Sequence, residues 1–247
     1  MFMKPIKLIM MITLSVLMSV NTWAKGEGKP NTLTPKEVSE GWQLLFDGKT
    51  FNNWKAYGSD EIPNAWEITD GTIHLLSRKS RNGKKGGDII TVKEFKNFEF
   101  YVEWKIAKGS NSGICYLINE NDELAMWGTG PEMQILDNKN HPDAKKGKDH
   151  NRQAGSLYDM IPANPQNAKA IGEWNSVRIK IKGRKVQHWQ NGVMVVSYKL
   201  KSKDWKEIKA GSKWAKYDLY GAFKKGHIGL QDHSDDVWFR NIKIRKI

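Results

Sequence analysis

The sequence of 247 residues contains a single cysteine, Cys115, so no disulfide can form within the chain. One thiol also excludes zinc and iron–sulfur sites that are built from several cysteines. The mean hydropathy of −0.63 is too low for a bundle of membrane helices. An aromatic content of 11% is too high for a disordered chain. These exclusions leave a globular protein, and its length suits one large all-β domain or two small ones.

The N-terminus has the features of a secretory signal peptide. Lys4 and Lys7 precede an uncharged apolar stretch at residues 8–20, and Thr22 and Ala24 then occupy the −3 and −1 positions of a signal-peptidase site. We therefore expect cleavage after Ala24, a periplasmic or secreted protein, and no membrane span after the signal is removed. A membrane anchor is the alternative, but the 13 apolar residues are fewer than the roughly 20 that a spanning helix needs.

A formal net charge of +13 raises the question of an anionic partner. The basic residues are mainly lysines spread over many loops, and no helix-turn-helix, zinc-finger or ribonucleoprotein motif accompanies them. We therefore expect no nucleic-acid partner. The densest series of lysines is expected to be a solvated connection: Lys199, Lys201, Lys203, Lys206, Lys209, Lys213 and Lys216.

Short alternating segments separated by turn residues dominate the rest of the chain. Residues 66–68 and 72–75 flank an Asp-Gly pair, and Asn191-Gly192 joins two further runs, so both are predicted hairpins. Residues 98–106 alternate with a period of two, which places five apolar side chains on one face. The other predicted strands are 114–118, 132–136, 175–181, 185–190, 193–198, 228–232 and 237–247, the last with a bulge near Asn241.

Helical patterns are short and are confined to residues 35–38 and 203–208. The predicted fold class is therefore all-β, a two-sheet antiparallel β-sandwich. We assign it to a single domain at residues 40–247, preceded by the signal peptide at 1–24 and a polar leader at 25–39.

The densest group of candidate catalytic side chains lies at residues 130–138. On a strand, Glu132 and Gln134 point to one side, whereas the residues between them enter the core. A bulge near Leu136 would bring Asp137 round to the same side. Two carboxylates and an amide on an open face can supply an acid, a base and a group that orients a sugar hydroxyl. The same pattern is also typical of the outer polar face of a sandwich.

Histidines supply further candidates. Alternation places His227, Gln231 and His233 on one face, beside a mid-strand glycine of the kind that often marks the close approach of a ligand. Histidine titrates near neutrality and can act as an acid, a base or a metal ligand. His188 precedes Trp189 on another predicted strand, so one of these two side chains faces the core and the other can line a groove.

Loop residues are a weaker source of chemistry. His141 and His150 could bind a metal together with Asp137 or Asp143, although their spacing matches no standard metal site. Ser156 lacks the Gly-x-Ser-x-Gly elbow of a serine hydrolase, so no catalytic triad is expected.

Nine segments taken together resemble the 3-keto-disaccharide hydrolase domain family, whose members are concanavalin-like jelly rolls. They follow the family's order over most of residues 40–247. The segments are 41–48, 111–114, 130–138, 141–143, 157–159, 172–175, 186–189, 191–192 and 226–233.

The resemblance implies an exported enzyme that cleaves glycosides already oxidised to a ketone at C3. The chain is also similar, more distantly, to laminarinase-type glycosidases, whose Glu-x-Asp-x-x-Glu motif appears here as Glu132-x-Gln134-x-x-Asp137. This change argues against double displacement, which needs two carboxylates about 5–5.5 Å apart. Many family members have an arginine where this chain has Leu117, so no substrate contact is assigned there.

A ketone at C3 acidifies the hydrogen on C2, so a base can remove it and the C1 substituent can leave by elimination, after which water can add back. We assign Glu132 or Asp137 as base or acid, and His188 and His233 as proton carriers or enolate stabilisers. The side chains expected to bind substrate are Asn111, Gln134, Tyr158 and Gln231. No cofactor is required, but the histidines and aspartates permit a divalent metal at the enolate.

Two other functions fit the same sandwich. One is a non-catalytic carbohydrate-binding module that stacks tryptophan and tyrosine rings on sugars, and the other is an ordinary glycosidase. A groove that holds Glu132, Asp137 and His233 together would favour the enzyme. An aromatic platform without clustered titratable groups would favour the binding module.

Overall fold

Two antiparallel sheets pack face to face in a computed structural model that describes residues 29–121 and 123–247. The predicted signal peptide at residues 1–24 lies outside the described residues. No helix within these described segments is long and apolar enough to cross a membrane. The helices are α1 (Pro35–Ser39), α2 (Met126–Thr129) and α3 (Lys203–Ala210). The strands are β1 (Gln43–Leu44), β2 (Trp54–Ala56), β3 (Trp66–Thr69), β4 (Thr72–Leu75), β5 (Ile89–Thr91), β6 (Phe98–Ile106), β7 (Asn111–Ile118), β8 (Glu132–Leu136), β9 (Asn175–Lys182), β10 (Lys185–Gln190), β11 (Val193–Lys199), β12 (His227–Leu230) and β13 (Val237–Lys246).

The sheets differ in size. Over the described residues, the large sheet has eight strands in the order β11-β10-β9-β6-β13-β4-β3, with β1 beside β13. The small sheet has five strands in the order β2-β5-β12-β7-β8. Each pairing in both sheets is antiparallel. The predicted all-β sandwich of the jelly-roll type is confirmed.

Both predicted hairpin turns are present. Asp70 and Gly71 join β3 to β4 with φ angles of 49° and 68°. Asn191 and Gly192 join β10 to β11 with φ angles of 49° and 82°. Two successive residues with positive φ match the right-handed twist of the flanking strands. Asp-Gly and Asn-Gly pairs are favoured in these turns because they adopt such angles readily.

The bulge predicted in the last strand is also present and ties the leader to the sandwich. Asn241 has φ of 54°, and the register of β13 against β6 shifts at this point. The backbone N–H of Asn31 donates to Oδ1 of Asn241, and the N–H of Asn241 donates back to Oδ1 of Asn31. Thr34 and Glu37 form a capping box at α1, and Glu37 also pairs with Lys243. The part of the leader that the structure describes is therefore docked on β13.

The core lies between the sheets and follows the alternation of the strands. Phe98, Phe100 and Val102 point inward from β6, and Met133 and Ile135 point inward from β8, all without exposed surface. Because successive residues on a strand face opposite ways, Glu132 and Gln134 lie on the outer face of the small sheet. That face carries the candidate site.

Candidate active site

The outer face of the small sheet receives Glu132 and Gln134 from β8. Both side chains are almost fully buried although they lie on the face away from the core. Their cover comes from the chain segments that cross this face, which contribute Trp127, Tyr158 and Lys213. The predicted outward direction of Glu132 and Gln134 is therefore correct, and the site is enclosed rather than flat.

A glycine makes room for Glu132. In the pairing of β7 with β8, Gly113 lies opposite Gln134, and Cys115 lies opposite Glu132. A Cβ atom at Gly113 would fall 2.8 Å from Cδ of Glu132, closer than real side chains approach. The absence of a side chain at Gly113 thus allows the Glu132 carboxyl group to lie across β7.

Six of the eight predicted site residues lie around one pocket of about 230 Å³. The pocket has room for a single sugar ring and opens to solvent beside His233. Its lining residues are Asn111, Trp127, Glu132, Gln134, Tyr158, Lys213, Gln231 and His233.

Glu132 is the carboxylate in this lining set. Burial raises the pKa of Glu132 to about 8, and the positive charge of Lys213 partly opposes that rise. The ammonium group of Lys213 lies 4.1 Å from the ring centre of Tyr158 and 4.4 Å from that of Trp214. Removal from water against these rings lowers the pKa of Lys213, whereas Glu132 acts to raise it. The pKa values of the carboxyl and the amine are thus shifted toward each other.

An ion-pair network holds Tyr158 in place. Its hydroxyl donates to Oδ2 of Asp143 at 2.7 Å. Arg152 donates to Asp143 at 3.0 Å and to Asp159 at 2.6 Å. Asp159 in turn accepts the backbone N–H of Lys213 at 2.9 Å. Tyr158 and Lys213 are therefore positioned by one connected set of hydrogen bonds.

Three amide side chains complete the polar wall. Oε1 of Gln134 accepts the backbone N–H of Ile135 at 3.1 Å, which leaves its NH₂ group to donate into the pocket. Asn111 is buried, and its Oδ1 has no hydrogen-bond partner among the described residues. Gln231 follows β12, and its backbone N–H donates to the carbonyl of Gly113. Amide groups of this kind can orient the hydroxyls of a bound sugar.

Asp137 does not join the pocket, contrary to the expected bulge. Its Oδ2 accepts the N–H of Gly109 at 2.8 Å and the side chain of Asn140 at 2.7 Å. Its Oδ1 accepts the backbone N–H groups of Lys139 and Asn140. Burial alone would raise the pKa of Asp137, but these donors lower it. The carboxylate fastens a loop to the end of β7 and is not available to substrate.

His188 also lies away from the pocket. It points from β10 into the core and has no exposed surface. Its Nδ1 donates to the carbonyl of Gly155 at 3.2 Å, and its Nε2 accepts the hydroxyl of Tyr116 at 2.7 Å. Burial lowers the pKa of His188 to about 4, so the ring is neutral. Both ring nitrogens are used in hydrogen bonds within the core, so His188 is not available to substrate as a catalytic group.

The loop histidines divide into two kinds. His150 is exposed and contacts Gln153. His141 lies next to His233, with ring centroids 6.0 Å apart, and Asp235 is close to both. Burial and the nearby His233 lower the pKa of His141. The expected partners of His141, Asp137 and Asp143, are occupied by the bonds described above.

Trp127 and Lys213 are the lining residues that the sequence did not indicate, and Lys213 is the charged one. It belongs to the lysine series expected to be a solvated connection. The segment in fact carries α3 and a stack of rings. The ring of Trp205 lies parallel to that of Tyr220, and the ring centroids of Tyr220 and Trp214 are 4.3 Å apart. The tryptophans among these lysines could have indicated that the segment packs against the sandwich, since solvated connections seldom contain such large buried rings.

A second groove, of about 280 Å³, lies on the outer face of the large sheet and holds Trp174 and Trp189. Arg178 stacks over Trp189 at 4.2 Å, and Arg240 stacks over Trp174 at 4.1 Å. These ring faces are covered by the protein's own guanidinium groups. The groove therefore does not present an open aromatic platform for a sugar.

Comparison with known proteins agrees with this geometry. A family described as the 3-keto-alpha-glucoside-1,2-lyase-like domain matches residues 41–245. A relative from Bacteroides thetaiotaomicron, named 3-keto-disaccharide hydrolase, is 46% identical over 228 residues, which cover 84% of this chain and 79% of the relative. A crystal structure of a candidate glycosyl hydrolase from Parabacteroides distasonis is 34% identical, with a TM-score of 0.80, and covers 89% of this chain and 100% of that one. Another from the same organism is 26% identical, with a TM-score of 0.64 and coverage of 83% and 99%. The chain belongs to the family of 3-keto-alpha-glucoside-1,2-lyase-like domains.

Proposed function

We propose that this protein is an exported glycoside hydrolase that cleaves 3-keto glycosides by removing the C2 proton and expelling the C1 substituent. The observation that carries the proposal is Glu132, a buried carboxyl group in a pocket of sugar size. Double displacement needs a second carboxylate at short range, and the described residues that line the pocket include none besides Glu132. The name of the Bacteroides relative and the family description support a 3-keto sugar as substrate.

Glu132 acts as the general base. A carboxylate with a pKa near 8 is a stronger proton acceptor than an ordinary glutamate and is still ionised in a useful fraction near neutrality. It takes the hydrogen from C2, and the electron pair is held by the C3 carbonyl as an enolate. Collapse of the enolate forms the C1–C2 double bond and breaks the bond from C1 to the leaving oxygen.

Lys213 supplies the proton for the leaving oxygen. Its lowered pKa makes the ammonium group a better acid than an exposed lysine. Its charge also stabilises the ionised form of Glu132 before the reaction. Water then adds at C1, and a proton returns to C2, so the net result is hydrolysis.

The polar wall holds the sugar during these steps. Asn111 and His233 lie at the side of the pocket where the enolate oxygen can be stabilised, and Gln134 and Gln231 orient hydroxyls. The ring of Tyr158 supports the ammonium group of Lys213.

A wider cleft of about 760 Å³ adjoins the pocket at His233 and is suited to the leaving group. Its wall is polar and includes Ser77, Arg78 and Ser110, which can donate hydrogen bonds to a second sugar. Because the pocket has room for one ring and the cleft is wider, we expect a strict requirement for the keto sugar and a loose requirement for the aglycone.

Export follows from the sequence features at residues 4–24 and suits a substrate met outside the cytoplasm. The carbohydrate-binding module is less well supported, because the described aromatic groove is covered by Arg178 and Arg240.

The proposal is tested with 4-nitrophenyl 3-keto-glucoside and its unoxidised parent, using the full chain and the Glu132→Gln variant. We expect nitrophenol release from the keto substrate alone, and loss of release in Glu132→Gln with substrate binding retained. Release from both substrates would identify an ordinary glycosidase. Unchanged turnover by Glu132→Gln would remove Glu132 as the base.

A further inference from the structure

Two histidines and an aspartate converge where the pocket meets the cleft. One nitrogen from each of His141 and His233 and one carboxylate oxygen of Asp235 all lie within 4.8 Å of one another. The imidazole rings are nearly perpendicular, at 81°, and Nδ1 of His233 lies 3.9 Å from Oδ2 of Asp235. That separation is within reach of two ligands that each sit about 2.0–2.2 Å from one ion.

We propose that His141, His233 and Asp235 bind a divalent transition-metal ion at the mouth of the pocket. Two imidazoles and one carboxylate favour ions such as Mn²⁺, Co²⁺ or Zn²⁺ over Ca²⁺ and Mg²⁺, which prefer oxygen ligands throughout. The side chain of His233 is half exposed and that of Asp235 is one-third exposed. A site this open leaves positions on the ion for substrate, as catalytic rather than structural metal sites do.

Asn111 provides an independent observation that the pocket beside this cluster takes a ligand. Its backbone N–H donates to Oδ2 of Asp235 at 3.1 Å and so fixes that carboxylate. Its own Oδ1 is buried in the pocket wall and has no hydrogen-bond partner among the described residues. An unpaired buried carbonyl oxygen costs free energy unless a cation or a hydroxyl group satisfies it.

Binding requires one local change at His141. Its Nδ1 accepts the backbone N–H of Asp143 at 3.1 Å, so in the neutral ring the proton lies on Nε2. The ring can stay where it lies: either Nδ1 gives its lone pair to the ion, or Nε2 does so and its proton moves to Nδ1, and in both cases the hydrogen bond from Asp143 is lost. The lost bond is a single neutral one, which the metal–nitrogen bond replaces.

The role of the ion rests on the proposed function. In the elimination, negative charge develops on the C3 oxygen when Glu132 removes the C2 proton. An ion beside His233 can bind that oxygen and stabilise the charge as a Lewis acid, while Lys213 remains free to protonate the leaving group. The site would therefore select substrates with an oxygen at C3 that can accept the charge.

The experiment measures ion binding without substrate. The tag-free full chain is freed of metal with a chelator and titrated with MnCl₂ by calorimetry and with CoCl₂ by visible absorption. We expect one ion per chain, with cobalt bands that report nitrogen and oxygen ligands. His233→Ala and Asp235→Asn should each weaken binding roughly tenfold or more. His150→Ala, which removes an exposed histidine of the neighbouring loop, should bind as the original chain does.

No saturable binding, or equal binding by the original chain and both variants, would overturn the metal site. Urea unfolding of each variant is the control for folding: a variant that unfolds cooperatively but does not bind the ion has lost the site and not the fold. Turnover of the keto substrate then separates the two proposals. Cleavage that persists without any bound ion would retain the proposed function and remove the ion's role in it, and binding without cleavage would retain the metal site and remove the function.

Discussion

The carboxyl group of Glu132 lies in the space that a side chain at Gly113 would occupy. A Cβ atom there would be 2.8 Å from Cδ and 2.9 Å from Cγ of Glu132. Gly113 follows the Asn111-Ser112 pair on β7, and Glu132 begins β8, so two neighbouring strands share one space on the small sheet. The position of the proposed base thus depends on a glycine that itself contacts no substrate.

Gly113→Ala should therefore impair catalysis more than stability. The new methyl group must displace Glu132, and a small displacement of a reacting group can reduce the rate about a hundredfold. We expect kcat/KM on the keto substrate to fall by roughly that factor, with a modest change in Tm. Gly211→Ala is the matched control, because its Cβ would meet only ordinary contacts at 3.7 Å and 3.8 Å. Full activity in Gly113→Ala would show that Glu132 does not need its present position.

Glu132→Gln should change how stability depends on pH. The folded protein holds the Glu132 proton more tightly than the unfolded chain, since its pKa is raised from 4.5 to about 8. Stability from this residue is therefore lost as pH rises through that window, by at most about 1.4 kcal/mol per pH unit. In urea unfolding, the free energy of unfolding of Glu132→Gln should therefore rise relative to that of the original chain as the pH increases from 5 to 8. Parallel curves for the two proteins would contradict the raised pKa.

His188→Phe should lower stability and leave turnover per folded molecule unchanged. The change removes the acceptor of the Tyr116 hydroxyl and the donor to the Gly155 carbonyl. The Tyr116 hydroxyl keeps the Tyr198 hydroxyl as a partner at 2.6 Å, but the Gly155 carbonyl loses its donor, and an unpaired buried group costs roughly 1–3 kcal/mol. Chemical unfolding measures the loss, and the activity of the folded fraction shows whether the residue has any catalytic part. A variant that is folded but inactive would show that His188 has a catalytic role.

Lys213→Gln should reveal its proton-donating role through the leaving group. Nitrophenolate leaves readily without a proton, whereas a sugar hydroxyl does not. We expect a small loss of kcat with the nitrophenyl keto-glucoside and a loss of roughly a hundredfold or more with a keto-disaccharide. Lys216→Gln, in the same short segment, serves as the control. Equal losses on both substrates would show that Lys213 acts in some other way.

Local patterns in the sequence predicted much of this fold. Alternation located β6 and β8. Pairs such as Asn191-Gly192 marked the hairpins, because few other residues adopt positive φ angles at two successive positions. Alternation also gave the outward side of Glu132. These features depend on neighbours along the chain, so the sequence displays them directly.

The remaining features depend on partners distant in the sequence. Asp137 turns toward the N–H of Gly109, a residue from the loop before β7 that strand periodicity cannot place. The pair His188 and Trp189 had two allowed orientations, and the packing of β10 against the small sheet decides between them. Lys213 enters the site because Trp214 and Tyr220 stack beneath its segment. Charge and periodicity carry no information about such contacts.

Cleavage in D₂O tests the central claim most directly. Elimination breaks the bond between C2 and its hydrogen, so deuterium replaces this hydrogen when the Glu132 carboxyl exchanges its proton with D₂O before water adds back, and elimination alone leaves no hydrogen there. The hydrogen at C2 of the sugar product is followed at early times by mass spectrometry and proton NMR. Product incubated in D₂O without enzyme corrects for spontaneous exchange. The account predicts a product that has lost its original C2 hydrogen at the rate of cleavage. A product that retains that hydrogen, together with no primary isotope effect on the cleavage of C2-deuterated substrate, would show that the bond is broken by direct displacement and that Glu132 is not a C2 base.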